Sequence, residues 1–295
     1  MANVIRLLFK EYCRCIFALC LKIYRMKYLI STTKDFINQL LKNRNLIKDL
    51  TRRDFHSKYI QNYFGLAWAI MDPLFFILIL FFVFSVRYGD KQVLGTAFIN
   101  YFICGYIAYN FFNNTITQLC GSIKSYSYLI KKVDFHSAII PIFKILSQVA
   151  MHAIIIIIAV IILWINGEPP QFIIIQIFYY TFAICMLLLG LGWITASIYP
   201  FFPDIKNIVG IISRILFFLT PIFWSIDGLP ERIATILKFN PLYYIATGYR
   251  ESLVYGVPFW HHPRLTLYYW GITIGLIVIG IFVFKRLRPH FADVI

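Results

Sequence analysis

The sequence predicts an all-α integral membrane protein, and three observations lead there. Sixty per cent of the residues are hydrophobic, 14% are charged and mean hydropathy is +0.73, whereas a soluble domain holds about 45–50% apolar and about 25% charged residues. Six long apolar runs lie at 66–86, 97–119, 138–165, 172–199, 205–225 and 265–284, each long enough for a tilted helix across the roughly 30 Å hydrocarbon layer. The net charge of +15 is gathered beside those runs, which suits the anionic inner surface of a membrane and not a nucleic acid. Backbone groups in lipid must be satisfied within their own segment, so the runs are helices and not open strands.

The elements follow in order. Residues 1–42 read as a basic amphipathic N-terminal extension. The stretch "CIFALCLKIYRMKYLIS" is apolar but broken by Lys22, Arg25 and Lys27, with no small-residue cleavage site after it, so a helix lying on the membrane fits better than a signal peptide. The main membrane domain is expected over 43–295. It opens with "NRNLIKDLTRRDFHSKYIQNYFG", 43–65, in which Leu46, Leu50 and Phe55 alternate with basic residues and Tyr59, Tyr63 and Phe64 follow. That pattern predicts an interfacial helix leading into the first span. Between the second and third spans, loop 121–137 contains "LIKKVDFHSAIIP", more charge and bulk than a plain connector needs. Between the fifth and sixth spans lies 229–256. There Ile233, Ile236 and Leu237 form one short apolar face and Ile245, Tyr249 and Leu253 a second. Asn240-Pro241 separates them, with Asn as N-cap and Pro at the first helical position. Two half-immersed re-entrant helices explain this better than an ordinary loop.

Charge sets the orientation. Twenty of the 28 lysines and arginines fall before the first span, in the second and fourth loops or in the tail. Arg87, Lys91, Arg232, Lys238, Arg250 and Arg264 fall on the other side. The positive-inside bias therefore puts both termini in the cytoplasm.

The chain lacks the usual catalytic patterns. There is no G-x-x-x-x-G-K-[ST] phosphate loop, no H-E-x-x-H and no G-x-S-x-G, and the 13 acidic residues are scattered. ATP hydrolysis on this chain is excluded by that pattern, and a magnesium-dependent transferase is disfavoured. Six cysteines without a C-x-x-C pair read as small apolar fillers, and His261-His262 as no metal site. Neither catalytic nor metal-ligating residues are expected. Asp72 precedes Pro73 near the start of the first span, which reads either as an N-cap or as a polar group on a channel wall. Arg214 lies well inside the fifth run, where a cation costs at least about 2.5–3.5 kcal/mol, so it either faces a polar path or a subunit, or snorkels to the interface. Lys144, near the inner interface, is expected to snorkel. Aromatic residues make up 19% of the chain and form either interfacial belts or a surface on which sugars stack.

Several segments together resemble one family. "LTRRDFHSKYIQNYFGLAWAIMDPLFFILILFFVFS", "SYLIKKVDFHSAIIPI", "FFPDIKNIVGIISRILFFLTPIFW", "LPERIATILKFNPLYYIATGYRESLVYG" and the tail "FKRLRPHFADVI" are similar, in order, to the membrane-spanning permeases of type-2 ABC transporters that export polysaccharides. The resemblance implies a homodimer of six-helix subunits with two separate ATPase subunits that carry ATP and magnesium. It also implies a lipid-linked, undecaprenyl-type polymer such as O-antigen, capsule or teichoic acid as substrate, and the bacterial cytoplasmic membrane as location. It makes 43–65 a gate, with Arg52, Arg53, Phe55, Tyr59 and Tyr63 on it. It puts Trp68, Asp72, Arg214 and Phe218 along a path lined by the first and fifth spans. It assigns the ATPase contact to Leu129, Ile130, Lys131, Lys132, Val133 and Phe135, with Asp204 in the fourth loop. His136 and Ser137 stand where the family commonly has Pro and a basic residue, and Pro203 where it has Arg. Export of a drug or simple lipid is the alternative within the same class, and an integral membrane glycosyl or acyl transferase the alternative outside it.

Overall fold

The computed structural model describes residues 43–59, 64–88, 92–93, 96–131 and 135–294. The expected extension 1–42, and Tyr63, Lys132 and Val133, lie outside the described residues. The chain divides into two units, Met1–Asp49 and Leu50–Ile295, each taken by itself. In the first, the described residues begin helix α1, Arg44–Tyr59. All that follows concerns the second.

Helices dominate it. After α1 come α2 (Gly65–Tyr88), α3 (Phe98–Cys120), two single turns α4 (Ser122–Ser125) and α5 (Ser127–Ile130), and α6 (Ile139–Ile165). Then come α7 (Ile177–Ile198), α8 (Ile205–Leu219), α9 (Glu231–Lys238), α10 (Pro241–Arg250), α11 (Pro263–Leu287) and the short α12 (Phe291–Val294). A 3-10 turn, Phe172–Gln176, leads into α7, and two two-residue strands, Gln92–Val93 and Thr96–Ala97, pair between α2 and α3. Among the described residues four helical stretches are long and apolar enough to cross a membrane: Gly65–Val83, Ile139–Ile165, Phe172–Ile198 and Pro263–His290. The other two apolar runs are also helical but differ in kind. Helix α3 carries Asn100, Asn110, Asn113 and Asn114, and the 15 residues of α8 reach only about 22 Å at 1.5 Å per residue.

The polar helix is the hub. Helix α3 packs against α6, α7, α8 and α10, and Phe102, Ile103, Ile107, Leu119 and Cys120 on it are buried. Asn100 and Asn110 are buried and hydrogen-bonded: the Asn166 Nδ2 donates to Asn100 Oδ1 at 3.0 Å, and Asn114 Nδ2 to Asn110 Oδ1 at 3.0 Å, while Asn114 itself is exposed. Helices α7 and α11 run together through a glycine contact. A Cβ on Gly190 would meet Ile277 N at 2.8 Å, and one on Gly280 would meet Gly190 O at 2.7 Å, so both backbones approach as only glycine permits.

The segment after α8 folds as its sequence indicates in one respect. The Asn240 Oδ1 accepts from the Leu242 N–H at 3.0 Å, with Pro241 in the first helical turn. Ile245, Tyr249 and Leu253 are buried, whereas Ile233 and Ile236 on α9 are exposed.

Three expectations are corrected here. Asp72 is no N-cap: α2 begins at Gly65 and runs through Pro73, because backbone in an apolar span satisfies its groups best by staying helical, even past a proline. Lys144 does not snorkel. Its Nζ lies 2.6 Å from Asp54 Oδ1, and the side chains keep only 14% and 4% of their exposure. Arg250 is no loop cation at the surface. It is buried, with Nε donating to Tyr101 O at 3.1 Å, Nη2 to Ile222 O at 3.2 Å and to Pro221 O, and the guanidinium 3.7 Å from the Tyr101 ring centroid.

Three substitutions probe this framework. Gly190→Leu or Gly280→Leu forces α7 and α11 apart and destabilises the subunit by about 1–3 kcal/mol or more, read as a lower melting temperature in detergent. Arg250→Met removes the side-chain donor shared by three carbonyls, of which Pro221 O keeps only the long 3.4 Å bond from the Tyr101 hydroxyl, at about 1–3 kcal/mol for a carbonyl left dry, and lowers the amount of folded subunit in the membrane.

Candidate functional site

A groove of about 550 Å³ runs between α2, α3 and α8. Asp72 and Phe76 come from α2, Tyr106, Tyr109, Asn110, Asn113 and Asn114 from α3, and Arg214, Phe217 and Phe218 from α8, with Phe223 beyond it. Spacing explains the lining. Tyr106, Asn110, Asn113 and Asn114 recur at three and four residues and so share one face of α3; Arg214, Phe217 and Phe218 do the same on α8. The aromatic rings support one another: Phe76 stacks on Tyr106 at 4.8 Å and meets Phe217 at 6.1 Å, and Phe217 lies 4.9 Å from Tyr109. The Tyr109 hydroxyl donates to Ser213 O at 2.9 Å, tying α3 to α8. Asp72 and Arg214 are both exposed, and among the described residues no salt bridge joins them.

A second cavity of about 200 Å³ shares Asp72, Asn110 and Asn114 with the groove and extends to Lys58 and Tyr59 of α1, Gln118 of α3, and Gln148 and His152 of α6. Its walls are linked by carboxamides. The Gln148 Nε2 donates to Gln118 Oε1 at 3.0 Å, and Gln148 Oε1 accepts from Tyr59 Oη at 3.2 Å and Lys58 Nζ at 3.4 Å. Burial, and then the nearby Lys144 ammonium, lower the Lys58 pKa to about 8, against a smaller upward pull from Asp54.

One turn before Lys58 on α1, Asp54 joins three elements. Its Oδ1 accepts from Lys144 Nζ of α6 at 2.6 Å and from Tyr126 Oη, between α4 and α5, at 2.5 Å. Burial, then the hydrogen bond and charge of Asp54, push the Tyr126 phenol well above its ordinary pKa. The Tyr126 ring meets Phe143 edge-on at 4.9 Å.

The sequence-derived residues fall into distinct places. Asp72, Arg214 and Phe218 come together on the groove, and Trp68 is exposed but does not line it. Arg52 and Arg53 are exposed on α1, while Phe55 packs on Tyr59 at 5.0 Å and Tyr59 faces inward. Leu129 and Ile130 on α5 and Phe135 beyond it are half-buried, and Lys131 is exposed. Asp204 is exposed at the start of α8, and its side chain caps no amide there. Among the described residues no group of three His, Cys, Asp or Glu could hold a metal; His262 instead contacts Glu251 at 2.8 Å. Sequence reasoning missed Asp54, Gln118, Gln148, His152 and the α3 asparagines. The asparagines had a signal, since four of them interrupt one apolar run.

The sequence model of the "ABC-2 type transporter" family matches residues 45–254. The chain is 26% identical to an O-antigen export system permease protein RfbA of Klebsiella pneumoniae, over 85% of this chain and 95% of that protein. It is 21% identical to the polysialic acid transport protein KpsM of Escherichia coli, over 71% and 81%. It is 22% identical to the capsule polysaccharide export inner-membrane protein CtrC of Neisseria meningitidis, over 74% and 81%.

The groove makes a direct prediction about access. In a chain with its native cysteines replaced, Asp72→Cys and Phe218→Cys react rapidly with a water-soluble thiol reagent. A cysteine at the buried position 104 reacts more than about tenfold more slowly, as burial of an inert thiol requires.

Proposed function

Because this chain belongs to the ABC-2 type transporter family, we propose that it is the multi-pass membrane permease of a polysaccharide exporter, handling polymers of the O-antigen and capsule kind. The observation that carries the reading is the groove: six aromatic rings, two of them tyrosines, and three asparagines in one open channel wall. Aromatic faces stack on sugar rings, and carboxamides offer a donor and an acceptor to neighbouring hydroxyls. A drug or simple-lipid exporter would not use so many neutral hydrogen-bonding groups. A transferase would need a clustered acid site that the scattered carboxylates do not supply.

The finer reading is as follows. The subunit has six spans, α2, α3, α6, α7, α8 and α11, with α9 and α10 as a re-entrant pair at the outer side. It lies in the bacterial cytoplasmic membrane with both termini in the cytoplasm, because basic residues gather at the α1 end and in the tail. It works as a homodimer, with the exposed α2 and α8 faces of two copies closing the path around a lipid-linked, undecaprenyl-type polymer. ATP and magnesium are bound by a separate pair of ATPase subunits, and no cofactor sits on this chain. The α3–α6 connection, through Leu129, Ile130, Lys131, Lys132, Val133 and Phe135, receives the ATPase, with Asp204 beside it. Helix α1, with Arg52, Arg53, Phe55 and Tyr59 and with Tyr63 after it, gates the inner mouth. Trp68, Asp72, Arg214 and Phe218 line the route.

Two outcomes are expected. Deleting the gene traps polymer inside the cell, seen as intracellular glycan with a bare surface; normal surface polymer in a strain without a paralogue refutes export. Val133→Ala together with Phe135→Ala leaves the subunit in the membrane but uncouples ATP hydrolysis from export, measured as polymer moved per ATP consumed.

A further inference from the structure

We propose that Asp54 is a positioning residue that latches α1 to the α3–α6 connection: through Tyr126 and Lys144 its carboxylate passes a displacement of that connection on to α1. This rests on the reading that the connection receives an ATPase.

The geometry is specific. One oxygen, Oδ1, takes both the Tyr126 hydroxyl at 2.5 Å and the Lys144 ammonium at 2.6 Å. The other, Oδ2, is buried and has no hydrogen-bond partner among the described residues. A carboxylate that serves only to hold a fold satisfies both oxygens, because a buried unmet acceptor is costly. This one keeps a vacant acceptor beside a second cation. Lys58, on the same helix one turn on, is within Coulombic reach of both Asp54 and Lys144; it holds a long 3.4 Å bond to Gln148 and lies 4.7 Å from the Tyr59 ring centroid. If Tyr126 withdraws, Lys58 and Oδ2 offer a replacement pair. The latch therefore has two arrangements, which a displacement at one end can switch.

Both ends are placed for that task. Tyr126 lies between the two single turns of the connection, clamped by the Phe143 ring edge at 4.9 Å and by the Lys144 ammonium 5.2 Å from its ring centroid. Two residues on, Tyr128 stands 58% exposed, followed by half-buried Leu129 and Ile130, so a partner pressing there bears on Tyr126 directly. At the other end, Tyr59 lies five residues beyond Asp54 and closes the second cavity through Gln148 and Gln118. Movement of α1 thus opens or shuts a space that shares Asp72, Asn110 and Asn114 with the groove.

The test uses the intact complex, purified with its own ATPase, with ATP hydrolysis and polymer movement measured together. Tyr126→Phe removes one hydroxyl and leaves the Asp54–Lys144 pair in place. A hydrogen bond to a charged group shifts an equilibrium about tenfold or more, so polymer moved per ATP falls several-fold while ATP turnover and melting temperature stay near those of the unaltered complex. Asp54→Asn does the same more strongly, and Asp54→Glu recovers part of the coupling. A Tyr126→Phe complex that moves polymer at the unaltered ratio overturns the latch. So does loss of hydrolysis and export in equal proportion in all three variants, which marks Asp54 as merely structural. If the unaltered complex moves no polymer with ATP, it is the export reading that fails, and that control separates the two.

Discussion

Backbone that leaves a helix in a buried turn must find donors for its carbonyls, and that constraint organises this chain. Helix α8 ends at Leu219, and the backbone turns through Thr220 and Pro221. The carbonyls there are collected by side chains from far along the sequence. Arg250 donates to the Pro221 and Ile222 carbonyls and the Tyr101 hydroxyl to Trp224 O at 2.9 Å, while Asn240 Nδ2 holds the Thr220 hydroxyl at 2.8 Å. These carbonyls, with Tyr101 O and the Tyr101 ring face, compensate the buried guanidinium for lost water. Its Nη2 occupies the space where a Cβ on Gly105 would come within 2.5 Å, so that glycine on α3 is a cradle for the cation. The broken helix, the arginine and the glycine are one arrangement.

With that node fixed, the molecule divides by cover. Helices α3, α7, α10 and α11 bury their contact faces against one another, with Tyr180, Tyr249 and Tyr269 fully enclosed. Helices α2 and α8 do not: Phe75, Leu78 and Phe82 on one and Ile211, Ile215 and Phe218 on the other stay exposed. Lipid or a second copy can cover such faces equally well in hydrophobic terms, because lipid tails are as apolar as leucine. What distinguishes the groove side is its hydrogen-bonding groups, which lipid cannot satisfy.

Legibility followed the range of the interaction. Helical runs and the Asn240-Pro241 cap are local, set by neighbours within four residues, and the sequence showed them directly. The Asp72-Pro73 pair was also read locally, and that reading failed: a proline after a capping residue signals a helix start only when the preceding residues do not already favour helix. Lys144 and Arg250 were misplaced for the opposite reason. Their partners lie 90 and up to 149 residues away, and charge counting treats each cation as alone with water. The resemblance placed Asp72, Arg214 and Phe218 near a path, and they do meet on one groove; Trp68, four residues before Asp72 on the same helix, does not line it. Asparagine on a greasy helix was the missed signal, because a polar side chain there must face protein or water.

The chemistry of that groove bears on how a polymer can move through it. A cation or carboxylate binds tightly when desolvated, and a chain held tightly at each repeat would stall. Conduction needs contacts strong enough to admit the ligand and weak enough to release it. Carboxamides meet this condition, since a neutral hydrogen bond exchanged against water nets only about 0.5–1.5 kcal/mol. Aromatic faces meet it too, because stacking tolerates sliding of one ring past the next. The lining holds one acid and one base, Asp72 and Arg214, on different helices and unpaired with each other among the described residues. Both are exposed, so water screens them and keeps their grip weak. A wall of many weak, neutral contacts with few charges is chemically suited to a long uncharged repeat.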